Sequence, residues 1–188
     1  LLYLGTDRQF PQLLHHTLFV GDNYRKFIDD VTNRQVLPDS LSFYLHVPAR
    51  TDPSMAPPGG DSLAVLLPVP NLASGDDWGA ITDAWREKGI DYLEHDAGLE
   101  GLRASIKVEH RMTPQDFEQR YDADEGTAFS TEPVLTRSAY FRQPNKDRTV
   151  DGLYHVGAGA HPGAGVPGVL LGAEVAAGLV RRDLGISV

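Results

Sequence analysis

The chain has 188 residues, of which 41% are hydrophobic and 23% charged, and it carries a formal net charge of −9 at pH 7. That length suits one domain, or one domain and part of another, and the apolar content is enough to bury a core rather than leave the chain disordered. With no cysteine, disulfides, thiol catalysis and cysteine–zinc sites are excluded. The acidic balance and the lack of any basic stripe argue against nucleic acid as a partner.

Taken in chain order, Leu1 to Leu4 predicts a strand, closed by a turn at Pro11, and Thr17 to Val20 a second. Asp22 suits an N-cap, and Tyr24, Phe27, Ile28 and Val31 then follow helical spacing to about Asn33. Leu41 to Val47 and Ser62 to Leu67 read as strands on either side of a proline and glycine-rich loop, Thr51 to Gly60, which predicts an antiparallel pair. Asp76 or Asp77 caps the longest helix, with Trp78, Ile81, Trp85, Ile90 and Leu93 as its apolar face. Arg103 to Met112 predicts a strand. Thr113-Pro114, with Asp116 in the first turn, starts a short helix that reaches about Tyr121. Residues 126–146 read mostly as loop.

The last unit predicts a strand over Leu153 to Val156, a glycine and proline-rich loop over Gly157 to Gly168, and a helix over Val169 to Arg182. Val169, Ala173, Ala176 and Val180 line up along that helix, and its glycines and alanines make it slim enough for close packing. From Gly152 to Ala173 no residue is formally charged, but the glycines and prolines there would leave backbone groups unpaired in lipid, so the stretch does not predict a membrane span.

Gly163, Gly165 and Gly168 match G-x-G-x-x-G ahead of a helix. Glycines let backbone N–H groups approach an anion, and the helix N-terminus adds partial positive charge. A self-contained dinucleotide site would need a second strand with an acid about 20 residues further on. No such strand fits after Gly168, so the loop either completes a site built elsewhere or only packs a helix on a sheet.

The residues that carry more information are the run DGLYHVGAGAHPGAGVPGV, from Asp151 to Val169, and a series of upstream blocks. These are HHT from His15, YLH from Tyr44, TDPSMAPPG from Thr51, LPVP from Leu67, TPQDF from Thr113, GTAFS from Gly126 and EPVLTRSAYF from Glu132. Together they resemble, in order and over nearly the whole chain, the C-terminal part of the bacterial-type phytoene desaturases. That family comprises FAD-dependent carotenoid desaturases of amine oxidase-like fold.

The resemblance implies an α+β architecture. An antiparallel or mixed sheet flanked by helices forms a substrate domain over residues 1–146. A C-terminal strand, loop and helix, residues 147–188, returns to an FAD domain whose Rossmann half this chain lacks. The resemblance places Gly157, Ala158, Pro162, Gly163, Gly165, Pro167, Gly168 and Val169 near the flavin. It implies FAD-dependent desaturation of a forty-carbon carotenoid precursor, phytoene, with oxygen or a quinone as electron acceptor and peripheral contact with the inner face of the cytoplasmic membrane.

Leu1 opens inside an apolar run without a basic region before it, so no signal peptide is expected; without an opening Met or the Rossmann half, the expectation is a fragment inactive alone. Related alternatives are a carotenoid isomerase, a ketolase or a desaturase of shorter polyenes; a different one is a binding module for an apolar ligand without redox activity.

Two departures stand out. Ala160 occupies a position where a small hydroxyl residue is common, and His155 one where an apolar residue is common. Phe129, Tyr140, Phe141 and His161 are candidates for substrate contact, with core packing or backbone pairing as the competing reading. His15 and His16 point to opposite faces if both lie on a strand, which is poor for joint metal binding, so no metal is expected. The last helix should expose an apolar face suited to a missing neighbour or to dimerisation.

Overall fold

Alternating burial along the strands organises the first part of the molecule. In β1 (Leu2–Thr6), Leu2, Leu4 and Thr6 are buried and Tyr3 is exposed. β3 (Phe43–His46) buries Phe43 and Leu45, and β4 (Asp61–Leu66) buries Leu63 and Val65. Successive side chains of a strand point to opposite faces, so this pattern gives a sheet with one apolar face. β2 (His16–Phe19) and β5 (Ile106–Arg111) complete it. The strand order is β2-β3-β4-β1-β5, with every neighbouring pair antiparallel. The expected α+β class and the β3–β4 pairing are both present.

The computed structural model describes residues 1–128, 130 and 141–186. It divides into two compact units, Leu1–Gly126 and Thr127–Val188.

In the first unit, α2 (Trp78–His95) covers the apolar face of the sheet. Asp77 caps it by accepting hydrogen bonds from the Gly79 and Ala80 N–H groups. Ile90 and Leu93 reach the core, where they join Leu2, Leu4, Phe10, Leu45, Val65, Leu99 and Leu102. Of the other predicted face residues, Trp78 is buried, while Ile81 and Trp85 are half-buried.

α1 (Tyr24–Asp29) differs from expectation at both ends. Asn23 rather than Asp22 caps it, accepting from the Lys26 N–H, and a π-helical turn, Asp30–Arg34, carries the chain onward. That turn holds Asp30 in a buried position where it meets both Lys26 and Arg34. The strand expected from Arg103 starts only at Ile106, because Gly101 turns the chain into the short α3 (Leu102–Ser105). α4 (Pro114–Tyr121) carries a reciprocal capping box between Thr113 and Asp116.

In the second unit, no regular strand forms over Leu153 to Val156. Only two isolated bridges occur among the described residues, Gln143 with Ala160 and Lys146 with Tyr154. The backbone there pairs piecemeal: His155 N–H donates to Asn145 O, and His161 N–H to Gln143 O. α5 (Val166–Asp183) begins three residues before the predicted Val169, so Pro167 and Gly168 belong to its first turn rather than to the loop. Proline is accepted there because first-turn N–H groups have no partner within the helix. Gly172 and Ala176 are buried and Val169 and Val180 half-buried, as the slim packing face predicts, but Ala173 is exposed.

Candidate functional site

The glycine loop of the second unit is held from within by two polar residues that sequence reasoning did not single out. Asn145, buried, donates from Nδ2 to the carbonyls of His155 at 3.1 Å and His161 at 2.9 Å, tying the residues just before the loop to its middle. Arg142, also buried, donates from Nη1 to the Ala158 carbonyl at 2.5 Å. Its guanidinium stem lies where a side chain on Gly163 would project. A buried polar group costs free energy unless it is hydrogen-bonded, so both residues are locked by the carbonyls they serve. No sequence-level signal singles them out, because the run around them, Arg142 to Arg148, is itself mostly polar.

The predicted cofactor residues come together along this loop. Gly157, Gly163 and Gly165 have positive φ, and the Ala160 N–H closes a turn on the Gly157 carbonyl. The loop packs tightly on α5. A Cβ on Gly168 would lie 2.7 Å from the Gly163 carbonyl oxygen, and one on Gly172 2.9 Å from that of His161. Gly157 and Gly165 face open space. Ala158 and Pro162 are half-buried between them, and Val166 and Pro167 are exposed. Val169 donates its N–H to the Gly165 carbonyl, while no side chain caps the N-terminus of α5.

Ala160 is buried in the bridge with Gln143, and His155 places Nε2 3.0 Å from Asp147 Oδ2. That contact, with the Thr149 hydroxyl and backbone, holds the Asp147 carboxyl well below the usual carboxylate range. At the other end of α5, Asp183 is lowered to about 2 by the Lys146 ammonium and then the Tyr154 hydroxyl. Of the substrate candidates, Phe141 is exposed and His161 half-buried; Phe129 and Tyr140 lie outside the described residues.

In the first unit, the sheet face opposite the core is only partly covered. The strand registers align His16, His46, Ala64, Tyr3 and His110 across all five strands. A second row sets Leu18 beside Tyr44 and Leu66. Leu18 and Val108 are 73% and 67% exposed, so this face offers apolar and aromatic surface to whatever covers it. The cavity lined by Leu2, Leu67, Trp78 and Trp85 has a volume of about 40 Å³, room for little more than water.

The expectation that His15 and His16 diverge is overturned. His15 sits in the bend before β2 rather than on it, so its ring comes round to that of His16. The two rings meet edge to face at 4.3 Å, and His15 Nε2 lies 3.0 Å from His46 Nε2. Burial, and then the nearness of the other two rings, lowers the pKa of His46.

No family model matches the chain. Among curated proteins it is 46% identical over 184 residues to a lycopene-forming phytoene desaturase of Pseudescherichia vulneris, covering 97% of this chain and 37% of that one. It is 47% identical over 185 residues to the corresponding enzyme of Pantoea ananas. It is also 39% identical over 188 residues to a 4,4'-diapophytoene desaturase of Staphylococcus haemolyticus. The chain spans about 37% of the length of each of these relatives. Along nearly all of its own length, it is homologous to part of the phytoene and related carotenoid desaturases.

Proposed function

We propose that the chain is part of an FAD-dependent oxidoreductase that desaturates phytoene in carotenoid biosynthesis. Residues 1–146 would serve mostly the substrate and residues 147–188 the flavin. The observation that carries this reading is the loop of the second unit. It has glycines open to close approach at Gly157 and Gly165, and it leads into a helix whose N-terminus has no side-chain cap. Backbone N–H groups at such an end favour electron-rich partners without adding a bulky side chain. The donor set suits a flavin: Gly157, Ala158, Pro162, Gly163, Gly165, Pro167, Gly168 and Val169 would hold it, with Asn145 and Arg142 keeping the loop in shape.

When bound, FAD supplies the two-electron acceptor for removing hydrogen from the substrate, and the protein supplies orientation and electrostatics. Nothing in the described residues need act as a strong acid or base for that division of labour. The open sheet face, with Tyr3, Leu18, Tyr44 and Leu66, gives an apolar polyene a surface of matching chemistry. Such a substrate resides in membrane. The intact enzyme would be cytoplasmic and attached peripherally to the inner face; no helix among the described residues is long and apolar enough to cross a membrane. Oxygen or a quinone would reoxidise the flavin. The exposed apolar residues of α5 would pack on the rest of the FAD domain.

The test is to express the protein, in the longest form its gene encodes, in a phytoene-accumulating bacterium, recording pigment spectrum and bound flavin together. Val166→Asp is the informative variant. A first-turn acid favours the helix but brings negative charge to the proposed flavin site. Retained folding with lost flavin and lost colour is expected. A folded parent protein that carries no flavin would overturn the oxidoreductase reading, and flavin without colour would move the proposal to another polyene.

A further inference from the structure

We propose that His15, His16 and His46 form a binding site for a borderline divalent transition-metal ion of the Zn2+ class, at the β2–β3 edge of the first unit's sheet. One ring nitrogen from each lies within 4.8 Å of the other two. The arrangement follows from the register. His16 and His46 are directly opposed across the β2–β3 ladder and so share a face, while His15 comes round from the bend before β2. The His15 carbonyl is fixed by the Val47 N–H at 2.9 Å, so the bend is held by the same ladder.

The hydrogen bonds around the cluster are those a ligand set needs. His15 Nδ1 lies 2.5 Å from Thr51 Oγ1, and His16 Nδ1 lies 2.6 Å from Tyr44 Oη. With these hydroxyls accepting the Nδ1 protons, the lone pair of each ring sits on Nε2, pointing away from its hydroxyl partner. Metal-ligating histidines are oriented in this way by a partner on the second nitrogen.

Tetrahedral Zn–N bonds of about 2.0–2.1 Å place ligand nitrogens roughly 3.4 Å apart, a spacing that the cluster, with its nitrogens within 4.8 Å of one another, is close to. In the metal-free chain the His46 and His15 Nε2 atoms, 3.0 Å apart, share one proton. On binding, the His46 proton moves from Nε2 to Nδ1, which frees the Nε2 lone pairs of both His46 and His15 for the ion, while His16 contributes its own. Solvent would fill the fourth position. Three imidazoles and no carboxylate favour zinc, copper or nickel over calcium or magnesium, which take oxygen ligands. The ion would clip the bend before β2 to the end of β3.

The experiment is calorimetric titration of the metal-stripped protein, in the longest form its gene encodes, with ZnCl2. His16→Ala, His15→Gln, Tyr44→Phe and the distant His95→Ala are titrated beside it. His16 and His95 are exposed, and an unchanged Tm without metal confirms that each variant is folded. The parent and His95→Ala should take up one molar equivalent more than His16→Ala or His15→Gln. Tyr44→Phe should bind that equivalent about tenfold more weakly. Equal uptake by the parent and both cluster variants would place any bound zinc elsewhere and overturn the proposal, as would no uptake by the parent.

Discussion

Asp61 is fully buried, yet it is a carboxylate. It persists because Arg50 grips it with two contacts, Nη1 to Oδ1 at 2.6 Å and Nη2 to Oδ2 at 2.8 Å, while the Phe10 N–H donates to Oδ2 at 2.8 Å. Arg50 also donates to the Leu13 and Phe10 carbonyls, so one guanidinium fastens the segment after β1 to the start of β4. Removing one partner of a buried pair leaves the other charge uncompensated. Arg50→Ala should therefore cost on the order of 3 kcal/mol in urea unfolding. Arg50→Lys, which keeps the charge but loses the fork, should fall between that variant and the parent.

Asp183 gives a pH-dependent counterpart. Its carboxyl is lowered from 3.8 to about 2 in the folded chain by Lys146 and Tyr154. A lowered folded value means that the unfolded chain takes up the proton first. The stabilisation is thus complete above about pH 4 and is lost as pH falls through about 2. Amide protection factors at the end of α5, each taken relative to the intrinsic rate at the same pH, should fall across that window, and Asp183→Asn should remove the dependence. None of these partnerships was legible in the sequence, because each joins residues far apart in the chain. The same is true of His46, whose approach to His15 depends on a strand register.

Among the elements, the most legible were those whose signals are local. Thr113, Pro114 and Asp116 announce the start of α4 in four residues, and the structure places the full capping box there. Thr113→Ala should cost about 1 kcal/mol, measured as loss of stability of the first unit. The strand expected over Leu153 to Val156 failed for the opposite reason. An apolar run specifies a strand only if a partner of regular length exists, and here Asn145 and scattered backbone bonds satisfy the loop instead.

α5 was placed correctly, but its start was read three residues late, because Pro167 and Gly168 look like loop residues and are accepted in a first turn. Gly172 shows why composition alone misleads within that helix. Alanine would gain about 1 kcal/mol in helix propensity. A Cβ there, however, would sit 2.9 Å from the His161 carbonyl oxygen, and overpacking against backbone costs about 1–3 kcal/mol. Gly172→Ala should lower the Tm of the second unit, whereas Gly178→Ala, with open space around its Cβ, should raise it.

For the whole molecule, the question is what the surface of α5 means. Val166, Leu170 and Leu171 are 75%, 66% and 55% exposed, and Val175, Leu184 and Ile186 are exposed beyond them. Scattered apolar residues need no explanation, but several on one helix form a patch that soluble monomers seldom leave open. The chain spans about 37% of the length of the desaturases it matches, so most of such an enzyme lies outside it. If the rest of the FAD domain normally covers α5, the 188-residue chain alone should hide the helix by self-association, and sedimentation velocity should show the weight-average mass rising with concentration. Leu170→Glu combined with Val175→Glu should restore a monomer without loss of helix content, because both positions are exposed and glutamate is a good helix former. In the longest form its gene encodes, the same pair should instead lower flavin content, since the face would then be an internal contact. A chain that is monodisperse and monomeric at every concentration, with α5 solvated, would detach the exposed apolar face from any packing role and leave the flavin reading to rest on the glycine loop alone.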